Sequence, residues 1–72
     1  MGINYKKLWK LLIDKNLKKK DLPKLASISV SSVTKLGKNE NVNTETLEKI
    51  CIALKCDISD IMEMAFDFNE EE

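Results

Sequence analysis

The sequence has no histidine and no arginine, and it has only two cysteines, Cys51 and Cys56. Without histidine, a mixed Cys/His zinc site is excluded, and two thiolates alone cannot fill a four-ligand site. With two glycines in the chain there is no glycine-rich phosphate loop. Two cysteines in a histidine-free chain without a signal peptide are expected to be buried thiols rather than a disulfide framework. We therefore expect no enzyme activity, no metal and no cofactor.

Long apolar runs are also missing. No segment reaches the roughly 18 apolar residues that a membrane span needs, and the N-terminal residues lack the apolar core of a signal peptide. Proline and glycine are scarce while aliphatic residues are ample, which argues against disorder. A chain of 72 residues makes one domain with one small core. We expect a soluble, cytoplasmic protein with a domain at 1–65 and an acidic, flexible tail at 66–72.

The net charge of zero conceals a strong asymmetry. Residues 1–38 contain ten lysines against two aspartates, a net charge of +8. Residues 39–72 contain two lysines against ten acidic residues, a net charge of −8. One interpretation is two solvated faces of opposite sign. The other is a half that binds a polyanion and an acidic half that keeps clear of it.

Apolar spacing predicts five short helices and no strand, and hence an all-α fold. Helix 1, at about 4–15, has the i, i+3, i+4 spacing of an amphipathic helix. Its apolar residues are Tyr5, Leu8, Trp9, Leu12 and Ile13. Asn16 can close this helix in a left-handed conformation. Helix 2, at about 19–27, is expected to be short and distorted around Pro23, because proline disrupts a helix interior.

Polar residues mark the starts of the other three helices. Ser29 is the predicted N-cap of helix 3, at about 30–36, and Gly37 is its expected C-terminal stop. Asn43 is the predicted N-cap of helix 4, whose apolar stripe is Leu47, Ile50, Cys51 and Leu54. Asp57 is the predicted N-cap of helix 5, with Asp60 near its positive end.

The outer face of helix 3 consists of serine and threonine, which are poor helix formers. Short side chains let a helix approach a surface closely, and the DNA major groove admits one α-helix. Serine and threonine can bond base edges or phosphates, valine can contact a thymine methyl, and lysine can reach guanine acceptors. The corner between helices 2 and 3 therefore predicts binding in the major groove.

The segments "DLPKLASISVSSVTKL" and "LEKICIALKCDISDIMEM" resemble the Cro/C1-type (Xre-like) helix-turn-helix regulators. They are particularly similar to the small stand-alone regulators of phages, mobile elements and resistance operons in Gram-positive bacteria. The resemblance covers about residues 4–64 and implies a compact, five-helix, lambda-repressor-like domain whose helices 2 and 3 form the helix-turn-helix. The matching positions are Leu22, Ala26, Ser29, Val33, Leu36, Leu47, Ile50, Ala53 and Leu54. The chain departs from the pattern at Lys18, where a serine or threonine cap is usual, and at Ser27, where glycine is usual.

The resemblance also implies which residues contact DNA. The expected base contacts are Val30, Ser31 and Lys35, with Thr34 at the margin of the contact face. Lys35 would be a phosphate contact instead if it points outward. The expected phosphate contacts are Lys19, Ser32, Lys38, Asn39 and Asn41.

The predicted function is therefore a sequence-specific regulator that binds double-stranded DNA and represses by occluding a promoter. One such domain makes few contacts, so we expect a homodimer on a palindromic operator with half-sites about 34 Å apart. The expected dimer surface is helix 5 with the segment 66–68. No small-molecule ligand and no membrane partner is expected.

Two alternatives remain open at this point. The acidic C-terminal half could dock on a basic protein, as an antitoxin-like partner does. The segment "YKKLWKLLIDK" is basic and amphipathic and could lie on a membrane surface, although four further helices offer a soluble partner for its apolar face.

Overall fold

The computed structural model describes residues 2–65. Four α-helices make up most of this part of the chain: α1 (Lys6–Asp14), α2 (Leu22–Ala26), α3 (Val30–Gly37) and α4 (Thr44–Leu54). Single 3₁₀ turns lie at Lys19–Asp21 and Ile58–Asp60. Two strands, β1 (Gly2–Asn4) and β2 (Glu63–Ala65), pair antiparallel. None of the helices described is long and apolar enough to cross a membrane.

One hydrophobic core is formed by residues of all four helices, together with one residue on either side of them. Its buried members are Tyr5, Leu8, Leu12, Leu22, Ala26, Leu36, Leu47, Ile50, Leu54 and Ile61. The apolar stripe of α1 is therefore occupied inside the domain, and only Ile13 of that stripe is largely exposed. A helix whose apolar face is already buried in a core exposes little apolar surface that could insert into a membrane.

Helix termini were predicted well where a local side chain decides them. The hydroxyl of Ser29 accepts from the backbone N–H of Ser32 at 3.1 Å, which confirms it as the N-cap of α3. The Asn43 side chain accepts from the backbone N–H of Thr46 at 2.9 Å and caps α4. Asn16, with φ of 59°, follows α1 in the predicted left-handed conformation.

Helix 2 is short and distorted, as predicted. It begins as the 3₁₀ turn Lys19–Asp21 and continues as five residues of α-helix, with Pro23 in the first turn of α2. Proline is tolerated there because its missing N–H would have no helical partner. The helix ends at Ala26 and is followed by Ser27 in the left-handed conformation, with φ of 58°.

The predicted all-α, five-helix fold is wrong in its fifth element. Asp57 and Asp60 do form a capping box, in which Asp60 Oδ2 accepts from the Asp57 N–H at 2.9 Å, but only one 3₁₀ turn follows. Beyond that turn the chain extends into β2, whose Ala65 lies opposite Gly2. Three-residue strands carry no alternating pattern, and their pairing joins residues 2–4 to residues 63–65, so neighbouring residues could not indicate it. The predicted tail at 66–72 lies outside the described residues.

Two helix boundaries also differ from the predictions. Helix α1 begins at Lys6 rather than at about residue 4, because Asn4 belongs to β1. Gly37 is the last residue of α3 and not its left-handed stop, which is instead Asn39, with φ of 58°. Asparagine tolerates this conformation better than most residues do, so glycine was not needed to end the helix.

Both cysteines are free thiols that pack half-buried against the core. Burial, followed by the neighbouring Cys56, raises the pKa of Cys51 to about 11, and burial also raises the pKa of Cys56. The raised pKa values keep both thiols protonated and unreactive near neutral pH.

Helix α4 offers a matched pair of isoleucines for testing the core. Ile50 is 0% exposed, so Ile50→Ala is expected to lower the free energy of unfolding by about 2–5 kcal/mol. Ile52 is 69% exposed, so Ile52→Ala should change that free energy by less than about 0.5 kcal/mol. Urea unfolding followed by circular dichroism measures both, and equal losses would contradict the packing described for α4.

Candidate nucleic-acid interface

Helices α2 and α3 meet in a tight corner that the core holds in place. Leu22 and Ala26 of α2 and Leu36 of α3 are all buried. Between the two helices Ser27 adopts a left-handed conformation, and the N–H of Ile28 donates to the carbonyl of Pro23 at 3.0 Å. Because the inner face of α3 is anchored by Leu36, its opposite face is directed to solvent.

The start of helix 2 compensates for the missing serine or threonine cap. Lys18 cannot accept a hydrogen bond through its side chain. Instead, Asp21 Oδ2 accepts from the Lys18 N–H at 2.8 Å, while the Asp21 N–H donates to the Lys18 carbonyl at 2.9 Å. This closed turn leaves Lys18, Lys19 and Lys20 exposed beside the corner.

All four residues predicted to contact bases lie exposed on α3. Val30 is 70% exposed and lies outside the core, and Ser31, Thr34 and Lys35 are exposed as well. Positions i, i+1, i+4 and i+5 share one side of a helix. The fold thus brings these side chains together on one surface, and their contact with bases stays a prediction.

Three serines form a hydroxyl cluster at the N-terminus of α3. Ser29 Oγ lies 3.0 Å from the Oγ atoms of both Ser31 and Ser32 and also accepts from the Ser32 N–H. A hydroxyl has two acceptor sites and one proton. Ser29 can therefore accept from only one of the two neighbouring hydroxyls and must donate to the other. One of Ser31 and Ser32 keeps its proton for an outside acceptor such as a base edge or a phosphate.

Thr34 uses its hydroxyl within the helix. Its Oγ1 donates to the carbonyl of Val30 at 3.2 Å. With that proton engaged, Thr34 can offer only an acceptor and its methyl group to the surroundings. This is consistent with a marginal position on the contact face.

Lys19 is held over the ring of Trp9, with its Nζ 4.4 Å from the ring centroid. An ammonium over an indole face is attracted by about 0.5–1 kcal/mol at an exposed site. Trp9 belongs to the apolar stripe predicted for helix 1, and it packs partly buried against the core while its face contacts the lysine. The predicted phosphate contact therefore has a preferred position beside α3.

A shallow groove between the start of helix 2 and α3 adds residues that the sequence did not assign. It is lined by Lys19, Lys20, Pro23, Val30, Val33, Thr34 and Gly37. Lys20 is the third lysine of "KKK", a run that indicated phosphate contacts without singling out this residue. Apart from its chain neighbours and the backbone of its own helix, Gly37 has no heavy atom within 4 Å of where a Cβ would lie, so the groove is open at its end of α3.

The loop after α3 carries the remaining predicted phosphate contacts. Lys38, Asn39 and Asn41 are exposed, while Ser32 at the other end of α3 is half-buried. The Oδ1 of Asn39 accepts from the backbone N–H of Tyr5 at 3.2 Å. The Nδ2 group, which is the half of this amide that can donate to a phosphate, takes no part in that bond.

Positive charge is concentrated on this part of the molecule. Residues 18–38 contain six lysines and one aspartate, a net charge of +5. The acidic residues Glu48, Asp57 and Asp60 line a different groove beside α4. In residues 2–65 no three metal-ligating side chains come together. The surface that carries the lysines of residues 18–38 fits a polyanion.

Comparisons with known proteins agree with this geometry. A family model for the Cro/C1-type HTH DNA-binding domain matches residues 7–67. A solved structure described as "Crystal structure of transcriptional regulator VanUg, Form II" is 47% identical to this chain, with a TM-score of 0.87. That match covers 92% of this chain and 88% of the other. No curated protein matches the chain.

The left-handed conformation of Ser27 generates a stability prediction. Ser27→Gly should raise the free energy of unfolding by roughly 1 kcal/mol, because glycine adopts the left-handed conformation without the steric penalty that serine has there. The gain is expected at the lower end of that penalty, since glycine loses more chain entropy on folding. Ser31→Gly makes the same change on α3 and should lower that free energy by about 0.5 kcal/mol through poorer helix propensity. Thermal and urea unfolding compare the two, and a destabilised Ser27→Gly variant would contradict the assigned turn.

Proposed function

This chain belongs to the Cro/C1-type helix-turn-helix DNA-binding family, and we propose that it is a sequence-specific transcriptional regulator that represses by occluding a promoter. The observation that carries the proposal is the exposed face of α3, where Val30, Ser31, Thr34 and Lys35 lie together next to a cluster of lysines. The similar structure described as that of a transcriptional regulator supports the same function.

In the proposed complex, α3 lies in the major groove and its short side chains allow close approach. Val30 and Ser31 contact bases from the first turn, and Lys35 reaches a guanine acceptor one turn later. Lys19 and Lys38 hold phosphates at opposite ends of the helix-turn-helix, and these contacts fix the register without reading sequence. Discrimination against a wrong base through Lys35 is modest, since lysine lacks the bidentate fork of arginine.

We further propose that the protein acts as a homodimer on a palindromic operator. A single small domain offers too few contacts for tight specific binding, and two copies place their α3 helices in successive major grooves about 34 Å apart. Ile58, in the 3₁₀ turn after α4, is 43% exposed and belongs to the surface proposed for the dimer contact. The segment 66–68, also proposed for it, lies outside the described residues.

The decisive experiment is a titration followed by fluorescence anisotropy. The protein is added to the DNA upstream of its own gene and, in parallel, to a scrambled duplex of the same composition, each at two salt concentrations. Tighter binding to the native fragment, a steep salt dependence and two protomers per site are expected. Equal and weak binding to both duplexes would refute sequence-specific regulation.

Base contacts should change specificity. Lys35→Ala and Ser31→Ala are expected to reduce the difference in binding free energy between operator and scrambled duplex by about 1–3 kcal/mol. Lys10→Ala is the matched control, because Lys10 lines a separate groove with Lys55 and Asp60. If Lys35→Ala weakens both duplexes equally, Lys35 is a phosphate contact only.

Phosphate contacts should change the salt dependence instead. Lys19→Ala and Lys38→Ala are each expected to weaken binding to every duplex and to lower the slope of log K against log salt by about one. The preference for operator over scrambled DNA should stay the same. If the slope for a variant equals that of the unmodified protein, the substituted lysine does not contact a phosphate.

A further inference from the structure

Tyr5 is bonded at both of its ends to the loop that follows α3. Its backbone N–H donates to Asn39 Oδ1 at 3.2 Å, and its phenol hydroxyl donates to the carbonyl of Glu40 at 3.0 Å. The donor and acceptors are 34 and 35 positions apart in the chain. Two hydrogen bonds from one residue to consecutive loop residues fix the loop in both position and direction.

The residues that Tyr5 holds are themselves tied to the end of α3. The Glu40 N–H donates to the Lys35 carbonyl at 2.9 Å, and the Asn39 N–H donates to the Leu36 carbonyl at 3.1 Å. These bonds satisfy carbonyls that the last turn of a helix leaves open. Because Glu40 accepts from Tyr5 and donates to Lys35, it links the start of α1 to the C-terminal end of α3.

Tyr5 itself cannot move freely. Its side chain is 1% exposed within the core, and it directly follows β1, whose Asn4 lies opposite Glu63 of β2. Burial raises the pKa of the Tyr5 phenol, so the hydroxyl keeps its proton and remains a donor. The loop is therefore bonded to a residue that is itself buried in the core.

We propose that Tyr5 is a positioning residue for DNA binding, which holds the loop at 38–41 so that Lys38 and Asn41 meet the phosphate backbone beside α3. This inference rests on the proposed function, since it concerns the phosphate contacts of the same DNA-binding surface. Tyr5 is buried and does not itself touch DNA. Its hydroxyl holds the Glu40 carbonyl, and Lys38 and Asn41 of the loop make the contact with phosphate.

The test uses Tyr5→Phe, which keeps the aromatic ring in the core and removes only the hydroxyl. In the free protein, amide hydrogen exchange is expected to speed up at Asn39 and Glu40. It should stay unchanged at Ser32, whose N–H is held by the Ser29 cap. Acceleration at all three amides would indicate general destabilisation and would overturn the proposal.

DNA binding provides the second measurement. Tyr5→Phe should weaken binding to operator and scrambled duplex alike by about threefold to tenfold, the size of one lost hydrogen bond. Combined with Lys38→Ala it should weaken binding by less than the product of the two single effects, because both changes act on one loop. The double variant Tyr5→Phe with Lys19→Ala should weaken binding by the product of the two single effects, because Lys19 lies outside this loop.

The outcomes separate the two ideas. Unchanged affinity of Tyr5→Phe, or effects that multiply with Lys38→Ala as they do with Lys19→Ala, would overturn the positioning role. Failure of the unmodified protein to prefer its operator would overturn sequence-specific regulation instead. If the unmodified protein shows no such preference, the affinity of Tyr5→Phe for either duplex still tests the positioning role, since phosphate contacts do not depend on the base sequence.

Discussion

The burial of Leu36, Leu22 and Ala26 beneath the helix-turn-helix is the interaction on which the rest of this surface depends. Leu36 fixes the rotation of α3 about its axis, because a side chain in the core determines which positions of the helix face outward. Leu22 and Ala26 fix the partner helix in the same way, since both are buried in the core. Val30 is exposed because Leu36 is buried.

Around this anchored corner, several exposed side chains are restrained by hydrogen bonds or by a neighbouring ring. The hydroxyl cluster of Ser29, Ser31 and Ser32 orders the first turn of α3, and the indole of Trp9 gives Lys19 a preferred position. Ordering before binding lowers the entropy lost when an interface forms. A small domain whose contacts are few benefits most from this arrangement.

How much the sequence could predict depends on the distance over which each interaction acts. Ser29 and Asn43 bond to residues three positions away, so their caps and the helices that they start were predicted. The pairing of β1 with β2 joins residues 2–4 to residues 63–65, and no local pattern marks it. The bond from Tyr5 to Asn39 and the stacking of Lys19 on Trp9 were missed for the same reason. Lysine density located the candidate interface, but contacts between distant segments set its geometry.

The pairing of Gly2 with Ala65 places the two ends of the described chain side by side. Cα atoms of residues opposite each other in an antiparallel pair are only about 4.5–5.5 Å apart. A linker of a few residues would span this gap, so the domain is suited to circular permutation, with new termini opened at an exposed turn such as the one at 15–16. The described chain therefore enters and leaves the domain at one place.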